Sequence, residues 1–225
     1  MSRCELMFEA FWTPIIVSLR VVILASVLAF LVALFFAWFL KKRQFKGKLF
    51  VETVLMLPLV LPPTVIGFGL LVAFGRNSWV GKWYEALFNQ PIVFTYIAAV
   101  IAAAVVSFPL IFQMLVNGFE SVDDELEAAA RQMGASEWQV FRHVTLPIAW
   151  RSVVTGYMLG FARALGEFGA TIMFAGSIVG VTQTLPVSIY LAVETGNTIM
   201  AYYWVVSIVI FAMLLLGTVQ RLKRT

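Results

Sequence analysis

Long runs of this chain carry almost no charge, and that constrains the fold more than any other feature. Residues 14–40 contain one charged side chain, Arg20. A helix of about 20 apolar residues crosses the hydrocarbon core of a bilayer. Several such runs recur along the 225 residues, so one signal peptide cannot account for them. Only 12% of residues are charged and 61% are hydrophobic. A soluble domain carries about 25% charged residues, and a chain of this size cannot hide so much apolar surface from water. The alternating pattern of a membrane β-barrel is absent. The reading is therefore an all-α polytopic membrane protein.

Five spans are expected, over residues 14–40, 50–74, 91–116, 147–174 and 199–219. The polar stretch 75–90 holds Trp79, Trp83 and Tyr84, residues suited to a membrane–water interface. Residues 175–194 are broken by Gly180, Gln183 and Pro186 and read as a short re-entrant or interfacial helix. Lys41, Lys42, Arg43, Lys46 and Lys48 follow the first span, and a second basic cluster closes the chain at Arg221, Lys223 and Arg224. Lysine and arginine favour the cytoplasmic side. Five spans place both clusters there, with the N-terminus outside. This topology also explains the net charge of +4 without nucleic acid. A single cysteine, Cys4, and a single histidine, His143, exclude an internal disulfide and a zinc cluster.

The polar segment 117–146 reads as two short helical phrases around Gly134. Asp123 and Asp124 suit the N-terminus of the first. Gly134 suits its end, because glycine tolerates a left-handed backbone. Ser136 and Gln139 have the spacing of a capping box. Val140, Phe141 and Val144 follow at helical spacing, and Pro147 opens the next span. From periodicity alone, the segment is either an amphipathic loop on the membrane surface or a knob that another protein grips.

The segment resembles the coupling loop of the inner-membrane permeases of ABC importers. Ala129 and Ala130 stand in the family's alanine positions before Gly134 and Ala135, and Leu146-Pro147 closes the pattern. The family's glutamate slot falls on Ala128, with Glu127 one place earlier. A second stretch, residues 162–171, resembles the oxyanion members of these permeases, as do residues 57–65 and 182–186. The run 166–174 is most similar to molybdate permease subunits, with sulfate and thiosulfate permeases close behind. The resemblance implies a type I importer permease fold, one permease domain over residues 1–225 and a cytoplasmic coupling loop over 118–147. It implies a docking set of Glu127, Ala129, Ala130, Gly134, Ala135, Leu146 and Pro147. It further implies a homodimer, two cytoplasmic ATPase subunits, a periplasmic or extracellular oxyanion-binding protein, no cofactor in this chain, and a bacterial or archaeal cytoplasmic membrane.

Arg163 and Glu167 lie within the fourth span, four residues apart on one helix face. A charge at mid-membrane costs at least about 2.5 kcal/mol, so such residues are partnered. They are either a structural pair or part of an anion pathway. Pro58, Pro62, Pro63 and Pro109 interrupt backbone hydrogen bonding in the second and third spans. These positions are packing kinks or a flexible wall at a gate lined by Pro62, Pro63, Thr64, Ser107 and Thr171. No Gly-x-x-x-x-Gly-Lys-Ser/Thr occurs, so energy has to come from a separate ATPase. An ion-coupled secondary transporter is the alternative of another class. It predicts more intramembrane carboxylates and an internal symmetry that is not seen. A membrane enzyme lacks the necessary cluster of nucleophile, base or metal ligands.

Overall fold

The computed structural model describes residues 3–43 and 45–224. Met1, Ser2, Gln44 and Thr225, the last closing the C-terminal basic cluster, lie outside the described residues. The described residues are helical, with no strand among them. The elements in order are α1 (Arg3–Lys42), α2 (Lys48–Val60), α3 (Pro63–Phe74), α4 (Trp79–Phe88), α5 (Tyr96–Glu120), α6 (Asp124–Gln132) and α7 (Glu137–Val140). A wide π turn (Phe141–Thr145) follows, then α8 (Leu146–Ile148), α9 (Trp150–Leu165), α10 (Gly169–Phe174), α11 (Leu185–Glu194) and α12 (Thr198–Arg224).

Small residues set the centre of the bundle. Ala25, Ala29, Ala33 and Ala37 recur every four residues along α1 and are fully buried. They fall on one helix face, and α1 packs along α5. There Ala98, Ala99, Ala102 and Ala103 are buried too. Where lipid surrounds a helix, small residues of this kind let backbones approach and gain dispersion contact. α9 packs on the same helix through glycines. A methyl group at Gly160 would overlap Ile111 Cγ1, and one at Gly118 would overlap Ser152 Cβ. Neither position has room for a side chain.

Three helical stretches are long and apolar enough to cross a membrane: Phe8–Lys41, Tyr96–Glu120 and Thr198–Thr218. The expected second span is not one straight helix. It is the pair α2 and α3, bent by 116°. The bend lies at Leu61 and Pro62. Leu61 is extended, with ψ 140°, the conformation that a following proline favours. Pro63 then opens α3 at a position where a missing N–H costs nothing. Pro58 and Pro109 differ from Pro62, since each sits inside a continuous helix. The expected fourth span is also divided. α9 has 16 residues, about 24 Å at 1.5 Å per residue. The chain breaks at Gly166–Phe168 and resumes as the six residues of α10. α11, with 10 residues, reaches only about 15 Å, half a bilayer core. In the polar stretch 75–90, Trp79 and Trp83 are exposed on α4, whose start is capped by Ser78 Oγ accepting from Gly81 N at 2.8 Å.

Candidate functional site

The segment after α5 is built by local capping. Asp123 Oδ1 accepts from Glu125 N at 2.9 Å and starts α6. Asp124, Glu125 and Glu127 fill its first turn and Arg131 its last, an order that suits the helix dipole. Gly134 has φ +89°. Its N–H donates to Arg131 O at 3.0 Å, and Ala135 N donates to Ala130 O at 3.1 Å. This paired closure is the glycine-dependent helix end known as a Schellman motif. Ser136 and Gln139 form the capping box, with Ser136 N donating to Gln139 Oε1 at 2.7 Å and Gln139 N donating to Ser136 Oγ at 3.4 Å. In the π turn, Leu146 N–H reaches back five residues to Phe141 O. Pro147 offers no N–H, so the register is free to widen there.

The loop has two faces. Inside, Phe141 meets Phe119 edge-on at 5.6 Å and Trp38 at 5.3 Å between ring centres. Trp138 meets Trp38 at 5.9 Å. These rings seat the loop on the ends of α1 and α5. Beneath them lies Glu127, only 6% exposed. Lys41 Nζ donates to its Oε1 at 2.6 Å, Thr145 Oγ1 to the same oxygen at 2.7 Å, and Arg131 Nη2 to Oε2 at 3.2 Å. Arg131 Nε also donates to Glu137 Oε1 at 2.9 Å. These side chains line a cleft of about 460 Å³. Outside, Leu126, Ala129, Met133 and Gly134 are exposed, Met133 by 83%, and Trp138 spans both faces, in ring contact with Trp38 yet exposed.

Of the docking positions read from the sequence, Ala129, Gly134 and Pro147 face outward. Ala135 and Leu146 are half-buried, and Ala130 and Glu127 face inward. The sequence reading missed Leu126, Met133 and Trp138. Leu126 and Met133 are seven residues apart, two helical turns on one face of α6, and that spacing was available. It also missed Lys41 and Thr145, whose role depends on contacts across the fold.

Burial pushes the Glu127 carboxyl up, but the hydrogen bonds from Lys41, Thr145 and Arg131 and the charge of Lys41 outweigh it. The net effect holds the group below the usual carboxylate range. A depressed folded value contributes stability above the unfolded value, about 4.3 for glutamate. That stability is lost as pH falls through the folded value. Wild type and Glu127→Gln are expected to differ in melting temperature at pH 7. The difference is expected to shrink only below about pH 4.3, as thermal unfolding across a pH series would measure.

A second region brings the two helix breaks together. A methyl group on Gly169 would stand 3.0 Å from Pro63 Cβ and 3.3 Å from Thr64 Cγ2, and one on Gly67 would stand 2.8 Å from Ala170 Cα. The α2–α3 and α9–α10 breaks are therefore in contact. Glu167, with a side chain 1% exposed, accepts from Arg163 Nη1 at 2.9 Å and from Ala170 N at 2.8 Å. It caps α10 and holds Arg163, whose side chain is 33% exposed. Pro62 and Thr64 are open and Pro63 partly so. Ser107 and Thr171 are buried, and Ser107 Oγ donates to Ala104 O of its own helix at 3.2 Å. Of the pathway residues read from the sequence, Pro62 and Thr64 are exposed and Pro63 and Arg163 partly so. Glu167, Ser107 and Thr171 are buried within the chain. Among the described residues, no group of three or more His, Cys, Asp or Glu is placed to hold a metal ion.

Residues 29–222, which include both regions, match the family described as the binding-protein-dependent transport system inner membrane component. The chain belongs to this family. The molybdenum transport system permease protein ModB of Escherichia coli (strain K12) is 44% identical over 184 residues, covering 82% of this chain and 80% of the relative. The sulfate transport system permease protein CysW of Synechocystis sp. (strain ATCC 27184 / PCC 6803 / Kazusa) is 40% identical over 152 residues, covering 67% of this chain and 54% of the relative. The inward-facing structure of the MetNI methionine ABC transporter superposes with a TM-score of 0.70 at 20% identity, over 100% of this chain and 98% of the matched one. The fold is thus that of the type I ABC importer permease. The chain is a multi-pass membrane subunit of a transporter, and hydrolysis of ATP resides on a separate subunit.

Proposed function

We propose that this chain forms the pathway of an ATP-driven importer of a tetrahedral oxyanion, with molybdate as substrate. The likeness to a molybdenum transport permease over 82% of the chain carries this reading. Two copies enclose one pathway in a bacterial or archaeal cytoplasmic membrane, with the N-terminus outside and the C-terminus inside. Two ATPase subunits dock, one on the loop 118–147 of each copy, and an external binding protein delivers the anion. α9 counts as a span alongside the bent pair and the three long helices, giving five. The open side of the two contacting breaks forms part of the pathway wall, where Arg163 meets a dianion. ATP binding moves the docking loops as rigid bodies, and the pathway opens alternately to each side.

A sulfate importer is the second reading, supported by the 40% identical sulfate permease. Both substrates are tetrahedral dianions, so uptake assays with each decide between them.

The exposed face of α6 supplies the docking test. Leu126 and Met133 present apolar surface on a loop outside the spans. An apolar anchor buried at the centre of an interface commonly contributes about 2 kcal/mol or more. Met133→Asp is expected to cause loss of the ATPase during purification from detergent, with the permease still in the membrane. Undiminished co-purification would contradict docking at this face.

A further inference from the structure

We propose that Glu127 is a positioning residue, which locks the docking loop to the end of α1 so that displacement of the loop moves α1 with it. This rests on the docking role proposed above. Both carboxylate oxygens of Glu127 are engaged within the chain, by Lys41 at the end of α1, Thr145 in the π turn and Arg131 in α6. At 6% exposure it has no free face for a partner. Glu127 and Leu126 are adjacent on α6, the first buried and the second exposed. A force on the outer face therefore reaches the carboxylate through a single turn of helix.

The partners reach the rest of the fold. The rings of Trp38, Trp138 and Phe141 hold the loop on α1 by apolar contact, which is non-directional and permits sliding. The charge-assisted bond from Lys41 fixes the register, because such bonds are short and directional. α1 continues unbroken from Lys41 back through Ser18, about 35 Å at 1.5 Å per residue. Ser18 Oγ accepts from Leu185 N at the start of α11 at 2.6 Å, and this contact is buried. α1 is thus tied at its C-terminal end to the docking loop and at Ser18 to α11.

The test uses the full-length chain with its ATPase in vesicles. It measures ATPase retained on purification, ATP hydrolysed, and molybdate taken up per ATP. Glu127→Gln and Lys41→Met are each expected to retain the ATPase but lower uptake per ATP on the order of fivefold, within the range of mutations along a coupling route. Their double variant is expected to be no worse than either single, as one shared interaction requires. Lys41→Arg, which keeps the charge, is expected to restore uptake per ATP. Thr145→Val, which removes one hydrogen bond and leaves the ion pair, is expected to give a smaller drop and serves if the other variants fail to assemble. Unchanged uptake per ATP in Glu127→Gln and Thr145→Val overturns the proposal. So does an additive double variant, and so does loss of the ATPase from Glu127→Gln, which makes the residue a docking contact. Failure of docking itself is read separately, from Met133→Asp retaining the ATPase.

Discussion

Gly134→Val is expected to abolish productive uptake while leaving the permease in the membrane. Gly134 has φ +89°. A methyl group added there would meet nothing within 4 Å, so the effect is one of backbone conformation and not of crowding. A left-handed backbone costs a non-glycine residue about 1–2 kcal/mol, and a β-branched side chain fits it worst. Valine therefore drives the chain out of the paired closure between α6 and α7. The angle between Leu126 and Met133 on one side and Trp138 on the other then changes, and the ATPase meets a surface of the wrong shape. Asparagine tolerates this conformation better than other side chains. Uptake per ATP is expected to fall in the order Gly, Asn, Ala, Val, with Val at least about tenfold down, the factor that about 1.4 kcal/mol represents. Hydrolysis and uptake measured together in vesicles would show this, and wild-type coupling in Gly134→Val would count against the docking loop.

Arg163→Gln is expected to remove uptake while the complex still assembles. Arg163 is one-third exposed and is held by Glu167, which lies in the α9–α10 break. Its guanidinium holds a fixed positive charge. Glutamine keeps a donor that can reach Glu167, and Glu167 keeps Ala170 N, so the cap of α10 survives. What is lost is the positive charge proposed to meet a dianion in the pathway. Glu167→Ala is the contrasting variant. It leaves the buried Ala170 N–H without its acceptor, and an unsatisfied buried donor costs about 1–3 kcal/mol. Less assembled protein is expected for Glu167→Ala, and assembled but inactive protein for Arg163→Gln. Normal uptake by an assembled Arg163→Gln complex would exclude the pathway role.

Much of the loop was legible because its determinants are local. Asp123, Gly134 and the Ser136–Gln139 box act within a few residues, and short-range spacing specifies them. The position of Glu127 was not legible in the same way. Its decisive partner, Lys41, is 86 residues away, and the basic cluster carrying Lys41 is explained equally well by topology. Pro62 and Pro63 marked a break, but the size of the bend depends on how α3 packs against α10 through Gly67 and Gly169. The break after α9 has no proline. Its signal is Glu167, three residues before Ala170 and so placed to cap a new helix, a spacing that reads equally as part of an Arg163–Glu167 pair. Ser107 and Thr171 were assigned to the pathway on polarity. A hydroxyl in a membrane helix can satisfy itself on its own backbone, as Ser107 does on Ala104, and so gives no direction.

Accumulation of radiolabelled molybdate in liposomes, with the chain reconstituted beside its ATPase and the external binding protein, tests the central claim most directly. The account predicts accumulation that requires ATP on the ATPase side, persists without an ion gradient, and is competed by unlabelled molybdate. Accumulation driven by an ion gradient without ATP, or none when ATP is hydrolysed by an intact complex, would contradict it.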